Sequence, residues 1–187
     1  AVQAVRGALH DADLADGLAI EQAWFGNCTL HRAGQPNLRG QACLAPLQRT
    51  GELPQRLPVI NVENECATGA CALYGAIGTV AAGRADLVLV VGVEKLHPDD
   101  GGRPDLRLFD AGLNQLEPDD WIRYYADVAA ALDRRFEAGC DRSIAMDTYA
   151  LQAAWHMNRH GTTRRQLAVA AAQCHGYASL NTLAQYR

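Results

Sequence analysis

Among the six cysteines of this chain, Cys66 stands where a nucleophile would. Residues 61–83 read NVENECATGACALYGAIGTVAAG, so the thiol follows a β-branched run and precedes a long stretch of small residues. A thiol at a helix N-terminus meets unsatisfied backbone N–H groups and the positive end of the helix dipole, and both favour thiolate over thiol. The same donors can hold an oxyanion once the sulfur has attacked a carbonyl. A plainer reading competes with this one. Most cysteines outside disulfides are inert small apolar residues, and Cys66 at a strand end fits that description too. Cys71, a little more than one turn further on, reads as inert.

The elements around Cys66 follow from the hydrophobic pattern. LPVINV (57–62) is a compact β-branched run bounded by Pro and Asn/Glu, which predicts a buried strand. Small and apolar residues recur at helical spacing from Ala67 to Ala82, with Gly83 and Arg84 as a stop signal. ADLVLVVGVEKL (85–96) then reads as a continuous apolar strand. Strand, turn, helix, strand with fully apolar strands indicates a parallel sheet covered on both faces, hence an α/β layered fold. Gly69 and Gly75 suit a close approach of neighbouring backbone, and Ala67, Ala70, Ala72 and Ala76 keep the helix thin.

Val2, Val5 and Leu9 predict an opening helix. LAIEQAWFGN alternates between strand-like and irregular, and the polar stretch 30–41 reads as a loop leading into a short helix, QACLAPLQRTG. Residues 97–120, rich in Asp, Gly and Pro, look like a surface excursion. Helices are expected at WIRYYADVAAALDRRFEAG, at MDTYALQAAWHMNRHG ending on Gly161, and from TTRRQLAVAAAQCHGYA with Thr162 or Thr163 as cap.

Composition narrows the functional classes. At 187 residues and 49% hydrophobic the chain can bury a sizeable core. A net charge of -4 and pI near 5.8 give no electrostatic reason to expect nucleic acid or an anionic membrane. The most apolar run, LVLVVGV (87–93), is too short to span a bilayer, and a cytoplasmic location is expected. The cysteines (Cys28, Cys43, Cys66, Cys71, Cys140 and Cys174) are scattered, so reduced thiols are expected, mostly as small buried residues. No pair has the C-x-x-C spacing of a zinc site, and no metal is expected.

A resemblance weighs between the two readings of Cys66. LPVINVENECATGACAL (57–73) resembles the active-site segment of the thiolase superfamily, especially the sterol-carrier-protein type of thiolase. GRADLVLVVGVEKL resembles the family's following strand, with Leu96 where Met is common, and GQPNLRGQACLAPLQRTG (34–51) resembles the segment before the active-site strand. Residues 146–187 resemble a segment with a G-T-T turn before a helix and a K-N-H…N-P pattern. There Gln173 and Cys174 replace Lys-Asn and Thr182 replaces Pro, while His175 and Asn181 persist.

The resemblance implies a thiolase-like layered α/β/α fold, mainly its first half plus the loop domain. Residues 1–96 would be the N-terminal core without its opening strand, and 97–187 the loop domain that covers coenzyme A. It implies that Cys66 is the acyl-accepting nucleophile of an acyl-CoA thiolase, with coenzyme A and acyl-CoA as substrates and no permanently bound cofactor. The family's C-terminal half, which supplies catalytic histidines and usually a second cysteine, is not in this chain; the missing Met and the abrupt end at Arg187 fit a fragment. His10, His31, His97, His156 and His160 read as solvated or packing residues. Implied partners are the missing half, a homodimer mate or a dimer of dimers, and a small zinc-containing OB-fold protein. The alternatives are a ketosynthase-type condensing enzyme and a non-catalytic or partner-dependent thiolase-like subunit.

Overall fold

Three short runs of β-branched and aromatic residues become strands: β1 (Gln22–Gly26), β2 (Val59–Val62) and β3 (Val88–Gly92). All pair in parallel in the order β2-β1-β3, with Trp24 opposite Ile60 on one side and Val90 on the other. Parallel neighbours need crossover connections, and α2 (Arg39–Arg49) and α3 (Thr68–Ala81) provide them, while α1 (Val2–Asp11) precedes β1. This computed structural model describes residues 1–97, 101–102, 106–137 and 143–186, in two units, Ala1–Pro104 and Asp105–Arg187. The fold is mixed α/β with helices flanking a parallel sheet, as expected. The half-irregular segment LAIEQAWFGN turns out to hold the middle strand.

Alternation along β1 sorts the two faces of the sheet. Ala23 and Phe25 are buried with Val5 and Leu9 of α1, Leu44 and Leu47 of α2, and Leu89 and Val91 of β3. Full burial of one such large side chain contributes about 1.5–3 kcal/mol. Trp24 lies on the opposite face, against α3, and a Cβ at Gly75 would clash with its indole ring. The indole N–H donates to Gln22 Oε1 at 3.1 Å, and the Thr79 hydroxyl of α3 donates to the same oxygen at 3.2 Å. α3 buries only small side chains, Thr68, Ala72, Ala76 and Thr79, so the helix lies close on the sheet. Gly69 does not share the role of Gly75: nothing stands within 4 Å of where its Cβ would be.

α3 is apolar on its far side as well, where Leu73, Tyr74, Ile77 and Val80 are exposed. On α1, the Arg6 guanidinium grips the Glu52 carboxylate with two bonds of 2.7 and 2.8 Å, tying α1 to the turn after α2. Those bonds, with one from the Thr50 hydroxyl, hold the Glu52 carboxyl down at about 2.

The second unit is helical: a 3₁₀ segment Leu106–Gly112, then α4 (Pro118–Ala131), α5 (Ile144–His160) and α6 (Arg164–Ala178). Pro118 and two first-turn carboxylates, Asp119 and Asp120, start α4 as helix chemistry favours. The sequence pattern carries that helix to residue 139, but it ends at Ala131, and Asp133 turns out of it at φ 54°, a left-handed geometry Asp tolerates. Gly161, at φ 70°, closes α5. Of the two candidate caps, Thr163 caps α6, in a reciprocal pairing with Gln166, while Thr162 meets His156 Nδ1 at 2.9 Å.

The cysteines correct one expectation. Cys28, Cys43, Cys66, Cys71 and Cys174 are free thiols, as expected, but none is fully buried: Cys66 and Cys174 are exposed and the others half-buried. Alanine, leucine and glycine take the tight helix-on-sheet positions instead. Cys140 lies outside the described residues.

Candidate active site

In a parallel sheet the chain leaves every strand at the same edge, and the three loops that leave it meet there. Beyond β2, residues Glu63 and Asn64 lead into a 3₁₀ turn, Glu65–Ala67, which runs directly into α3. Cys66 is the middle residue of that turn and is exposed to solvent. The sequence places this thiol at the head of the helix; the structure places it just ahead of the N-cap, Ala67, on a separate turn.

Local bonds shape the turn. Ala67 N–H donates to Asn64 O at 2.9 Å, Asn64 N–H donates to Thr68 Oγ1 at 2.8 Å, and Glu65 N–H donates to Glu63 Oε1 at 2.7 Å. Glu65 itself has φ 44°, the left-handed region that non-glycine residues seldom adopt. Cys71 has a structural task in the same turn, accepting from Asn64 Nδ2 at 3.0 Å. Among the described residues, no side chain caps the N-terminus of α3, whose first N–H, that of Thr68, is taken by the Glu65 carbonyl of the turn.

The loop after β1 supplies the second wall. Asn27 is buried, donating to Val93 O at 2.6 Å and Glu94 Oε2 at 3.1 Å and accepting from Leu30 N–H at 2.9 Å. Next to it, the Cys28 sulfur lies 2.9 Å from Thr68 Oγ1 and 3.2 Å from the Glu65 carbonyl oxygen. Burial pushes the Cys28 thiol up to about 11; the Thr68 hydroxyl opposes that rise, and the Glu94 and Glu65 carboxylates add to it.

The loop after β3 supplies Glu94. Its carboxylate accepts the N–H of Cys28 at 2.5 Å, the N–H of Thr29 at 3.0 Å and the Thr29 hydroxyl. Desolvation pulls this carboxyl upward, but the bonds from Thr29 and Cys28 outweigh it and hold it below the ordinary glutamate range. Glu65 moves the other way, raised first by burial and then by the charges of Glu63 and Glu94. The turn around Cys66 is therefore acidic, which opposes the anion-stabilising pull of the α3 N-terminus.

From β2, Asn61 reaches back to α2, its Oδ1 accepting from Gly40 N–H at 2.7 Å and its Nδ2 donating to Gln41 Oε1 at 2.8 Å. This fixes the strand end that carries the turn. Beside it a cleft of about 200 Å³ opens between Asn27, Arg39, Asn61 and Glu63. All six histidines are exposed, and His31 binds the Cys28 carbonyl through Nδ1 at 2.9 Å. His175 stands on α6, in the second unit, edge-on to Tyr186.

Reading the sequence did not single out Asn27, Cys28, Thr29, Thr68 or Glu94. The signal was present: N-C-T directly follows the AWFG run and Glu94 directly follows VVGV, the loop positions at which parallel sheets place functional groups. What no sequence pattern supplied was that the loops after β1 and β3 close on the turn after β2. Chemically, the arrangement is a solvent-open thiol on a hydrogen-bonded turn, ahead of a helix N-terminus without a side-chain cap, which suits attack on a carbonyl carbon.

Known proteins bear on this arrangement. The chain is 29% identical over 181 residues to an acetyl-CoA acetyltransferase of Methanothermobacter thermautotrophicus, covering 96% of this chain and 39% of that protein. It is 30% identical over 173 residues to an acetyl-CoA acetyltransferase of Methanocaldococcus jannaschii, covering 91% of this chain and 36% of the other. Over 96 residues it is 36% identical to sterol carrier protein 2 of Bos taurus, covering 51% of this chain and 16% of that protein. The chain thus spans less than two-fifths of the length of these relatives. The family model described as the N-terminal domain of thiolase matches residues 1–186, and on that match the chain belongs to the thiolase family.

Proposed function

We propose that this chain is the nucleophile-bearing part of an acyl-CoA thiolase and that Cys66 forms its acyl-enzyme. The observation that carries the reading is the position of Cys66, exposed on a bonded turn immediately ahead of an uncapped helix N-terminus, within a thiolase N-terminal domain. In cleavage, the Cys66 thiolate attacks the C3 keto carbon of a 3-oxoacyl-CoA, and the carbonyl oxygen becomes an alkoxide. The C2–C3 bond then breaks, its electron pair remains on C2 as an enolate, and protonation of C2 releases acetyl-CoA. The thiolate of a second coenzyme A attacks the Cys66 thioester, carries off the shortened acyl group and frees the sulfur. Condensation is the reverse. In this reading N–H groups of the first turn of α3 stabilise the oxyanion, and the proton transfers fall to groups in the remainder of the protein.

Coenzyme A and acyl-CoA act as substrates in this scheme, and no cofactor stays bound. Residues 97–187 form the cover over coenzyme A; within them Tyr124, Tyr125, Val128, Leu151 and Trp155 line an apolar cavity of about 420 Å³. The bare face of α3 supports a further element of the proposal, that the C-terminal half of the protein packs on Leu73, Ile77 and Val80, since a helix apolar on all sides is a buried helix. A homodimer is the proposed assembly, with a small zinc-containing OB-fold protein as an additional partner. The proposed location is the cytoplasm; among the described residues, no helix is long and apolar enough to cross a membrane.

The test is intact-mass spectrometry of the full-length protein with a panel of 3-oxoacyl-CoA substrates, followed by peptide mapping. An acyl adduct on Cys66 that free coenzyme A removes is the expected result. Cys66→Ala should abolish the adduct and Cys71→Ala should retain it; equal loss in both folded variants contradicts the assignment.

A further inference from the structure

The turn that presents Cys66 contains a residue its backbone alone would not hold in place. Glu65 lies at φ 44°, a conformation that a side-chain-bearing residue keeps only where the surroundings fix it. Two donors converge on its carbonyl oxygen: the Thr68 N–H, from within the turn, and the Cys28 thiol, from the loop after β1, with its sulfur at 3.2 Å.

One proton arrangement satisfies every hydrogen bond between Cys28, Thr68 and the turn. The Glu65 carbonyl only accepts, so the single S–H proton of Cys28 points to it. Thr68 Oγ1, 2.9 Å from the sulfur, must then be the donor of that pair, which leaves its lone pair for the Asn64 N–H at 2.8 Å. Each group in the chain is satisfied. Cys28 is itself clamped from behind: Glu94 takes its N–H at 2.5 Å, and Arg39 Nη1 donates to the carbonyl of Asn27 at 2.5 Å and reaches that of Cys28 at 3.4 Å. A thiolate at Cys28 would set a negative sulfur against a carbonyl oxygen, which agrees with a thiol that keeps its proton at neutral pH.

We propose that Cys28 is a positioning residue for Cys66, its S–H bond to the Glu65 carbonyl fixing the left-handed turn that presents the nucleophilic sulfur. This rests on the reading of Cys66 as the acyl acceptor. The role of Cys28 is a hydrogen bond through another residue, with no bond to substrate, so its loss should lower kcat and leave KM alone. A serine keeps a donor to Glu65 and an acceptor for Thr68 and should rescue; an alanine keeps neither.

The experiment compares wild type, Cys28→Ala and Cys28→Ser in the full-length protein, reading the rate of Cys66 acylation by acyl-CoA and the kcat and KM of turnover. The worth of one neutral hydrogen bond predicts that Cys28→Ala slows acylation and kcat by about three- to tenfold. KM should stay within about twofold and Cys28→Ser should return kcat to within about twofold of wild type, since neither group touches substrate. Alanine acylating as fast as wild type, or serine falling as far as alanine, overturns the proposal. Should Cys28→Ala fail to fold, Cys28→Val, which fills the space of the thiol and removes the donor, is read by the same thresholds. Wild-type protein that never acylates Cys66 refutes the underlying reading and this one with it, whereas wild type that acylates beside an unchanged Cys28→Ala refutes this one alone.

Discussion

Replacing Gly75 by alanine tests how the site-bearing helix is seated, because two opposing effects of known size meet at one atom. In an exposed helix interior, Gly→Ala gains about 0.5–1 kcal/mol by reducing the freedom of the unfolded chain. At Gly75 the new methyl carbon would stand 2.5 Å from Trp24 Cη2 and 2.7 Å from Cε3. Carbon atoms rest about 3.5–4.0 Å apart, so ring and helix must separate by about 1 Å. The indole resists, because its N–H is bonded to Gln22 Oε1, which also holds Thr79 of the same helix. Overpacking of this kind costs about 1–3 kcal/mol, and the propensity gain offsets part of it, for a net loss of about 1–2 kcal/mol. Gly7 on α1 is the internal control: nothing lies within 4 Å of its Cβ position, so Gly7→Ala should be stabilising by about 0.5–1 kcal/mol. Urea denaturation of the full-length variants measures both. If Gly75→Ala proves as stable as Gly7→Ala, α3 does not lie on Trp24 as described and the reasoning is refuted.

Two further predictions follow from polar contacts. Glu94→Gln leaves one acceptor oxygen for the Cys28 and Thr29 donors and should destabilise by about 1–2 kcal/mol, below the figure for a buried charged acceptor because the carboxylate is solvent-facing. The sign with pH is set by its depressed folded value: the contribution is present above the ordinary glutamate pKa and disappears as pH falls through the folded one. Urea midpoints of wild type and Glu94→Gln should therefore converge in acid, and a constant gap refutes this. Thr163→Ala removes the capping box of α6 and should cost that helix about 1 kcal/mol, read as faster amide exchange in residues 164–167 with exchange in α3 unchanged.

Local pattern suffices for the strands at LPVINV and LVLVVGV, the helix between them and the parallel sheet, because continuous apolar strands flanking a helical repeat leave few other packings. It also put Cys66 at the junction of strand and helix, since the change of period from two to 3.6 falls there. The Gly161 stop and the Thr-based cap were legible for the same reason: they are local chemistry. What surrounds the thiol depends on long-range packing. Cys28, Thr68 and Glu94 are separated by 40 and 26 positions along the chain and meet because the outer strands lie on either side of β1. The same holds for the glycines: Gly69 and Gly75 are alike in the sequence, and the indole of Trp24 makes Gly75 the costly one to replace. Burial of the thiols was misjudged because exposure depends on which faces the packed elements cover, and residue type records only a tendency. Pattern along a chain fixes period and local bonds; which loops close on one another is a property of the assembled sheet.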